Sequence, residues 1–261
     1  KRRSRKPKKS KKVDLEQKEL VAQKIEYDTH AIEREANVLF KPNSGPQTEF
    51  LAAPEREVLY GGSAGGGKSY AMLADPLRFM GHPAFSGLLL RHTTEELREL
   101  ISKSQELYPK VWPGIKWSER KMQWTAPSGA RLWMSYLDRD DDVMRYQGLA
   151  FSWIGFDELT QWPTPYAWNY MRSRLRSTAP DLEVYMRATT NPGGPGHQWV
   201  KKMFIDPAPY DTSFAATDIE TGEALKYPAG HSKAGKPLFK RRFIPARLSD
   251  NPYLSDTGDY E

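Results

Sequence analysis

A glycine-rich stretch, LYGGSAGGGKSYAML at residues 59–73, constrains the fold more than any other feature of the chain. Gly62 is followed by four residues and then by Gly67, Lys68 and Ser69, which is the full spacing of a P-loop. The apolar run EVLY before the glycines indicates a strand, and SYAMLADPLRFM after them has helical spacing as far as its proline. Strand, glycine loop and helix is the setting of a phosphate-binding loop, and it disfavours a flexible linker.

The glycines suit this loop because they have no Cβ, so backbone N–H groups can turn towards phosphate oxygens. The start of the next helix adds a partial positive charge. We expect Lys68 to reach the β and γ phosphates and the Ser69 hydroxyl to ligate Mg²⁺. ATP is favoured over GTP, because no Asn-Lys-x-Asp motif follows. The predicted nucleotide-binding residues of this stretch are Gly62, Gly65, Gly66, Gly67, Lys68, Ser69 and Tyr70.

Composition excludes several classes of protein. The 261 residues include 38% hydrophobic residues, enough for a core, and no cysteine, which rules out disulfide frameworks and thiolate metal sites. No apolar run approaches the length of a membrane span. The net charge of +6 comes from residues 1–12, which hold nine of the 39 basic residues and leave 30 against 33 acidic ones.

The pattern along the chain predicts four segments. Residues 1–12 are a disordered basic tail, either an electrostatic arm for nucleic acid or a solvated terminus. Residues 13–40 contain no Gly or Pro and form a helix with one apolar face. Residues 41–255 form the P-loop ATPase domain, and residues 256–261 begin a linker.

Strands alternate with helices through the central segment, which predicts an α/β fold with a mostly parallel sheet flanked by helices. The ligand is then expected at the carboxyl ends of the strands. Predicted strands include FSGLLLRHT, FSWIGFD and LEVYMRATT, predicted helices include TTEELRELISKSQELY and residues 165–177, and residues 206–248 are predicted to be rich in loops.

An inserted β-hairpin is predicted between residues 111 and 137, where apolar and polar residues alternate on both sides of APSG. Trp117, Trp124 and Trp133 lie in it. Packing of these rings in the core is favoured over stacking on single-stranded bases.

Polar residues follow two of the predicted strands. Asp157 is positioned to bind Mg²⁺, and Glu158 beside it can orient the water that attacks the γ phosphate. Two acidic residues at the end of a strand are common by themselves, but a P-loop earlier in the chain favours a functional role for them. Thr190 and Asn191 could sense the γ phosphate, with an Asn-Pro turn as the alternative. Gln47, ahead of the first strand, could read an adenine edge.

The ordered set PQTEFL, GGSAGGGKS, LLLRHTTEELREL, the tryptophan-rich hairpin, RYQGLAFSWIGFDEL, ATTNPGG and IPARLSDNPYL resembles the ATPase half of tailed-bacteriophage large terminases, the motors that pump DNA into capsids. The resemblance covers about residues 40–255. It implies a RecA-like P-loop fold of the additional-strand, catalytic-glutamate (ASCE) class. It also implies double-stranded DNA, a portal protein and a small terminase subunit as partners, without a membrane.

The same resemblance implies a homo-oligomeric ring, usually a pentamer, with a monomer as the alternative for the isolated chain. It places the protein in the host cell cytoplasm, transiently on the procapsid. By this resemblance Gln47 contacts adenine, Lys68 and Ser69 hold phosphate and Mg²⁺, and Asp157 binds the metal. Glu158 activates water, and Thr190 with Asn191 couples hydrolysis to motion.

Two departures from the family pattern stand out. Positions 63–66 are Ser, Ala, Gly and Gly, without the arginine that many relatives carry in this loop. Arg145 resembles the trans-acting arginine of the family, with Arg91 as second choice and a surface ion pair as the alternative for both. After Asn191 about 70 residues remain, too few for the family's nuclease domain, so this chain is expected to hydrolyse ATP without cutting DNA.

Two other functions remain open from the sequence. A RecA-like helicase or other DNA-remodelling ATPase would separate strands, which an unwinding assay detects. A nucleotide-gated binding protein would bind ATP tightly and turn it over negligibly even in oligomers that carry Arg145.

Overall fold

The structure is a computed structural model that describes residues 40–63 and 67–247. The chain divides after Lys41, and every element below belongs to the second unit, Pro42–Glu261. The predicted tail, the linker and, apart from Phe40, the predicted helix 13–40 lie outside the described residues, as do Gly65 and Gly66.

The described ranges contain five α-helices, none of them long and apolar enough to cross a membrane. They are α1 (Pro46–Ala52), α2 (Lys68–Ala74), α3 (Thr94–Val111), α4 (Tyr166–Arg172) and α5 (His197–Phe204). The strands are β1 (Glu57–Gly62), β2 (Ser86–Arg91), β3 (Lys116–Ser118), β4 (Gln123–Thr125), β5 (Arg131–Tyr136), β6 (Trp153–Phe156), β7 (Tyr185–Thr190), β8 (Phe214–Ala215) and β9 (Lys240–Ala246). Short 3₁₀ helices span Asp75–Phe79, Glu119–Lys121, Asp140–Tyr146 and Leu159–Gln161.

All nine strands form one sheet in the order β3-β4-β5-β2-β6-β7-β1-β9-β8. The six strands from β5 to β9 in this order are parallel, and β3, β4 and β8 pair antiparallel at the two edges. Strand β7 lies between β1 and β6, so an additional strand separates the strand before the glycine loop from the strand before the paired acids. The predicted mostly parallel α/β fold is confirmed.

Each face of the sheet has its own core. Along β1, Val58 and Tyr60 belong to a cluster with residues of α1, α2 and α3, whereas Leu59 belongs to a second cluster with residues of α4 and α5. This alternation follows from the two-residue repeat of a strand. Because helices cover both faces, β1 is buried along most of its length, and the polar groups of the site are left to the loops at the strand ends.

The ends of two helices follow directly from the sequence. The Thr93 hydroxyl accepts from Glu96 N–H, and the Glu96 carboxylate accepts from Thr93 N–H, which forms a capping box at the start of α3. Helix α2 is followed by a 3₁₀ helix that has Pro76 in its first turn. The sequence predicted that the α-helical spacing ends at this proline.

The predicted hairpin is formed by β4 and β5, and β3 adds a third antiparallel strand beside β4. Strand β5 also pairs parallel with β2, so the hairpin extends the main sheet. Trp124 is buried, contacts Trp117 at 5.2 Å between ring centroids and donates to Ser104 Oγ. This ring therefore packs in the core and is not available to stack on bases.

Strand β9 was missed, because residues 206–248 were predicted to be rich in loops. Every residue of β1 pairs with a residue of β9, from Glu57 opposite Arg241 to Gly62 opposite Ala246. The sequence concealed it because Arg241 is buried and ion-paired with Glu57, which interrupts the expected run of apolar residues.

Candidate nucleotide site

The glycine loop leaves the carboxyl end of β1 through a tightly enclosed turn. Gly62 has a φ of 139°, and a Cβ there would lie 2.0 Å from the Ala246 carbonyl oxygen of β9. The next residue, Ser63, donates its N–H to the same oxygen at 3.0 Å. At the far side of the loop, Gly67 is in the left-handed region at φ 71° and caps α2. Glycine is therefore required at both ends of the loop.

Lys68 is the first residue of α2 and is almost completely buried. Its Nζ donates to Ser63 O at 2.6 Å. Burial lowers the pKa of Lys68, and the negative charges of Glu158 and Asp157 partly oppose this change. The lysine of the glycine loop therefore shares one electrostatic environment with the two acids, and its predicted contact with phosphate stays a prediction.

Ser69 and Tyr70 follow in the first turn of α2. Ser69 is partly buried, and the Tyr70 ring is exposed, with Lys103 Nζ at 5.9 Å from its centroid. The predicted roles of both residues in nucleotide binding stay predictions.

Gln47, in α1, holds the glycine loop through its amide. Its Nε2 donates to Gly67 O at 2.9 Å, and its Oε1 accepts from Asn43 N–H at 2.6 Å. In this conformation the amide positions the residue that caps α2. Its predicted contact with adenine stays a prediction.

Asp157 follows β6 and is fully buried. Its Oδ1 accepts a short hydrogen bond from the Thr189 hydroxyl, and the same hydroxyl oxygen accepts from Glu158 N–H at 3.0 Å. Sequence reasoning missed this role of Thr189. A hydroxyl residue at the end of the strand next to β6 was the available signal.

Arg91, at the end of β2, lies with its Nε 2.9 Å from Asp157 Oδ2. Both atoms are buried and neither makes a hydrogen bond. Arg91 therefore belongs to the site of its own chain, which argues against its second-choice role as an arginine supplied to a neighbour.

Glu158 has a backbone φ of 63°, a conformation that residues with a Cβ rarely adopt. Its Oε1 accepts from Asn191 Nδ2 at 2.6 Å. Burial, and then the charge of Asp157, raise the pKa of Glu158, whereas Arg91 and Lys68 oppose the rise. The loop conformation and Asn191 together fix the direction of this carboxylate.

The donors at this edge fit a hard divalent cation. Asp157 Oδ2 is a buried carboxylate oxygen that pairs with Arg91 but accepts no hydrogen bond within the described residues, and Ser69 supplies a hydroxyl at the start of α2. Within the described residues no three His, Cys, Asp or Glu side chains form a metal-binding group.

The segment after β7 is tied to the loop after β6. Thr190 Oγ1 donates to Thr160 Oγ1 at 3.0 Å, and Thr160 Oγ1 donates to Asn191 O at 3.2 Å. Gly196 N–H donates to Thr160 O at 2.8 Å, just ahead of α5. A cleft of about 280 Å³, lined in part by Thr190 and Asn191, lies beside these contacts. The two residues predicted to sense the γ phosphate thus contact the loop that carries Glu158.

Arg145 lies outside this cluster, in the 3₁₀ helix that follows β5. Its side chain is 45% exposed, donates to Tyr136 O at 2.8 Å and pairs with Asp142 at 3.3 Å. Three strands, β2, β6 and β7, separate β5 from the strand of the glycine loop. At about 4.8 Å per strand this is roughly 20 Å, so Arg145 lies far from the glycine loop of its own chain.

A glycine loop after one strand, paired acids after another and an additional strand between them define a RecA-like P-loop NTPase fold. The family model described as "Terminase large subunit, T4likevirus-type, N-terminal" matches residues 59–231. The chain therefore belongs to the terminase large subunit family, as part of its N-terminal region. No protein in the curated collection of sequences matches the chain significantly.

Solved structures support the fold. The large terminase of a thermophilic bacteriophage, in complex with ADP, is 17% identical, with a TM-score of 0.54, over 83% of this chain and 48% of that chain. The large terminase ATPase domain of Thermus phage P74-26 is 10% identical, with a TM-score of 0.51, over 84% and 86% of the respective chains. The present chain thus spans about half the length of the first of these proteins.

Proposed function

We propose that the chain is the ATPase domain of a viral DNA-packaging motor, which hydrolyses ATP with Mg²⁺ and thereby moves double-stranded DNA into a procapsid. Membership in the terminase large subunit family supports the biological role. The large terminase of the thermophilic bacteriophage, with which the fold is shared, was solved in complex with ADP and with ATP-γ-S. The arrangement of Lys68, Asp157 and Glu158 supports the chemistry.

In this proposal the glycine loop surrounds the phosphates with backbone N–H groups, and Lys68 contacts the β and γ phosphates. Lys68 Nζ gives up its bond to Ser63 O in exchange for phosphate oxygens. Gln47 contacts adenine at one end of its amide and Gly67 at the other, which would connect base recognition to the glycine loop. Tyr70 lies beside the bound nucleotide.

Ser69 and Asp157 would hold Mg²⁺, which when bound would neutralise the charge that develops on the phosphate oxygens. Arg91 pairs with Asp157 in the absence of the cation, so the buried carboxylate keeps a counter-charge at all times. A kinase, by contrast, would exclude water from this edge of the sheet.

Glu158 orients the attacking water and accepts its proton at a carboxylate oxygen. Its raised pKa increases its affinity for that proton. Asn191 holds the carboxylate in the resting arrangement, and Thr190 with Asn191 transmits the loss of the γ phosphate to the segment ahead of α5. Hydrolysis is thereby coupled to movement.

The assembled form in this proposal is a homo-oligomeric ring of five subunits. Arg145 of one subunit enters the site of the next, where an arginine supplied in trans typically contributes about 10³ to 10⁵ in rate. Arg145 is half-exposed, and three strands separate the strand before it from the strand of the glycine loop. This position supports a role of Arg145 in a neighbouring site. The ring acts in the host cell cytoplasm, transiently on the procapsid, with a portal protein and a small terminase subunit as partners.

The observation that carries the proposal is that the glycine loop with Lys68 follows β1 and the paired acids follow β6, with β7 alone between these two parallel strands in the sheet. Replacing Glu158→Gln keeps the shape of the side chain and removes the base. We expect ATP binding to remain within about threefold and turnover to fall by at least about 10²-fold. The exposed Glu183→Gln, just ahead of β7, is the matched control. Undiminished hydrolysis by Glu158→Gln would reject the assigned role.

A further inference from the structure

The connection between β8 and β9 holds its charges in two separate parts. Residues 218–223 include three acidic residues and no basic one, whereas residues 224–240 include four lysines and no Asp or Glu. We refer to residues 224–240 as the basic loop. Lys226, Lys233, Lys236 and Lys240 in this loop are exposed.

The basic loop has a fixed shape, because its backbone is hydrogen-bonded across its width. Tyr227 N–H donates to Lys236 O at 3.0 Å, and Leu238 N–H donates to Leu225 O at 2.7 Å. The His231 ring stacks on Tyr227 at 4.5 Å between centroids. The lysines therefore project from a hydrogen-bonded scaffold.

The lysines of the basic loop are not engaged in ion pairs with the described residues. Its four exposed lysines form no ion pair with any carboxylate in the described part of the chain, whereas Lys103 and Lys201 elsewhere pair with Glu99 and Asp206. Lys233 Nζ instead lies 5.8 Å from the Tyr227 ring centroid. The loop thus offers ammonium groups to an external anion.

The basic loop lies at the edge of the sheet opposite the nucleotide site. Strand β9 starts beside it, with Arg241 opposite Glu57, and ends with Ala246 opposite Gly62 at the glycine loop. Arg241 also donates to Thr217 O at 2.7 Å, and this hydrogen bond holds the start of the β8–β9 connection against β9. The length of β9, roughly 20 Å at 3.3 Å per residue, separates the lysines from the nucleotide phosphates, so they need another anion.

We propose that the basic loop binds the phosphate backbone of duplex DNA, an inference that rests on the proposed packaging function. Lysines are depleted at the centres of protein–protein interfaces, where aromatic anchors are enriched. No large apolar side chain in residues 216–240 is exposed. Polar, strongly positive surfaces are instead typical of DNA interfaces, and lysine contacts to phosphate are independent of base sequence. Independence from sequence is what a translocating motor needs.

The test is the salt dependence of duplex binding by the full chain without nucleotide, followed by fluorescence anisotropy. Each phosphate contact contributes about 0.9 to the slope of log affinity against log salt concentration. For Lys233→Gln with Lys236→Gln we expect the slope to fall by about two. The factor by which affinity falls between 50 and 200 mM salt should then be about tenfold smaller in the double variant than in the unchanged chain.

The matched control is Lys116→Gln with Lys121→Gln, which removes the same charge at the β3 edge, at the other end of the sheet. We expect its slope to equal that of the unchanged chain. An equal decrease in both double variants, or none in either, would overturn the inference, because net charge or other residues would then control binding.

Two further outcomes separate the inference from the proposed function. Unchanged duplex binding together with lost binding to poly-glutamate would overturn it in favour of an acidic protein partner. An unsubstituted chain that does not bind duplex DNA at all would overturn it together with the DNA part of the proposed function. ATP hydrolysis, measured on the same samples, tests the enzymatic part separately.

Discussion

Thr189 joins the two carboxylates of the site through one hydroxyl group. It donates to Asp157 and accepts the N–H of Glu158, whose left-handed backbone would otherwise leave that N–H buried without a partner. The two carboxylates are therefore positioned by a side chain that is itself fully buried. Thr189 is a positioning residue in this account.

Removing the Thr189 hydroxyl tests that role. We expect Thr189→Val to lower kcat for ATP by about 10- to 100-fold, because small misplacements of catalytic groups have effects of this size. The dissociation constant for the nucleotide should change little, and Thr189→Ser should restore most of the rate. Equal kcat values for the valine and serine variants would contradict the role.

The pH dependence of hydrolysis tests the environment of Glu158. Glu158 must be ionised to accept a proton, so activity falls as the pH drops through its raised pKa, above the usual 4.5. Arg91 opposes that rise, so Arg91→Gln should move the acid limb of the kcat profile to still higher pH. The exposed Arg98→Gln on α3 should leave the limb in place, and a downward shift for Arg91→Gln would contradict the assignment.

At the scale of elements, β1 and β9 are held together beneath the site by a buried cluster of charges. Glu57 at the start of β1 is fully buried and pairs with Arg241 of β9 and Arg172 of α4. Burial opposes ionisation, but Arg172 and Arg241 outweigh it and lower the pKa of Glu57. The cluster connects the sheet to the helices on one face.

Removing the central charge of this cluster should destabilise the fold. Glu57→Gln leaves the buried Arg241 and the partly buried Arg172 without their carboxylate, and we expect a loss of about 3–5 kcal/mol in the free energy of unfolding. Denaturant unfolding measures it, with the exposed Glu106→Gln on α3 as control. A loss under about 1 kcal/mol for Glu57→Gln would show that the cluster contributes little.

The same cluster predicts a pH effect of defined sign. Because the pKa of Glu57 is lowered in the folded state, its stabilisation is present above the unfolded value near 4.5 and is lost as the pH falls through the folded value. Acid should therefore reduce the stability of the unchanged chain more than that of Glu57→Gln.

Much of the site followed from local sequence patterns. The glycine loop, α2 and the acids after β6 could be predicted because each is encoded within about ten residues. Strand β9 and the role of Thr189 could not, because buried ion pairs and cross-strand hydrogen bonds depend on residues far apart in the chain. The position of Arg91 beside Asp157 could not be predicted either, because only the pairing of β2 with β6 in the sheet brings these two residues together.

At the scale of the whole molecule, the site and Arg145 lie on separate parts of the same subunit. Arg91, which lies at the paired acids, is committed to Asp157. In the proposed ring, Arg145 of a neighbouring chain completes the site, so activity should depend on assembly.

ATPase rate against protein concentration tests that dependence. We expect the specific rate to rise with concentration, more steeply with duplex DNA, and the rise to disappear in Arg145→Ala. Arg139→Ala, which removes an exposed arginine six residues away in the sequence, is the matched control. A specific rate independent of concentration and equal in Arg145→Ala would contradict a shared site.

In the proposed site, one triphosphate lies between Lys68 and the paired acids. A crystal structure with Mg²⁺ and a nonhydrolysable ATP analogue would show its position. We expect the γ phosphate in contact with Lys68 Nζ, the cation on Ser69 and Asp157, and Glu158 directed at the in-line water position. A nucleotide bound elsewhere, or acids turned away from its phosphates, would rule out the proposed site.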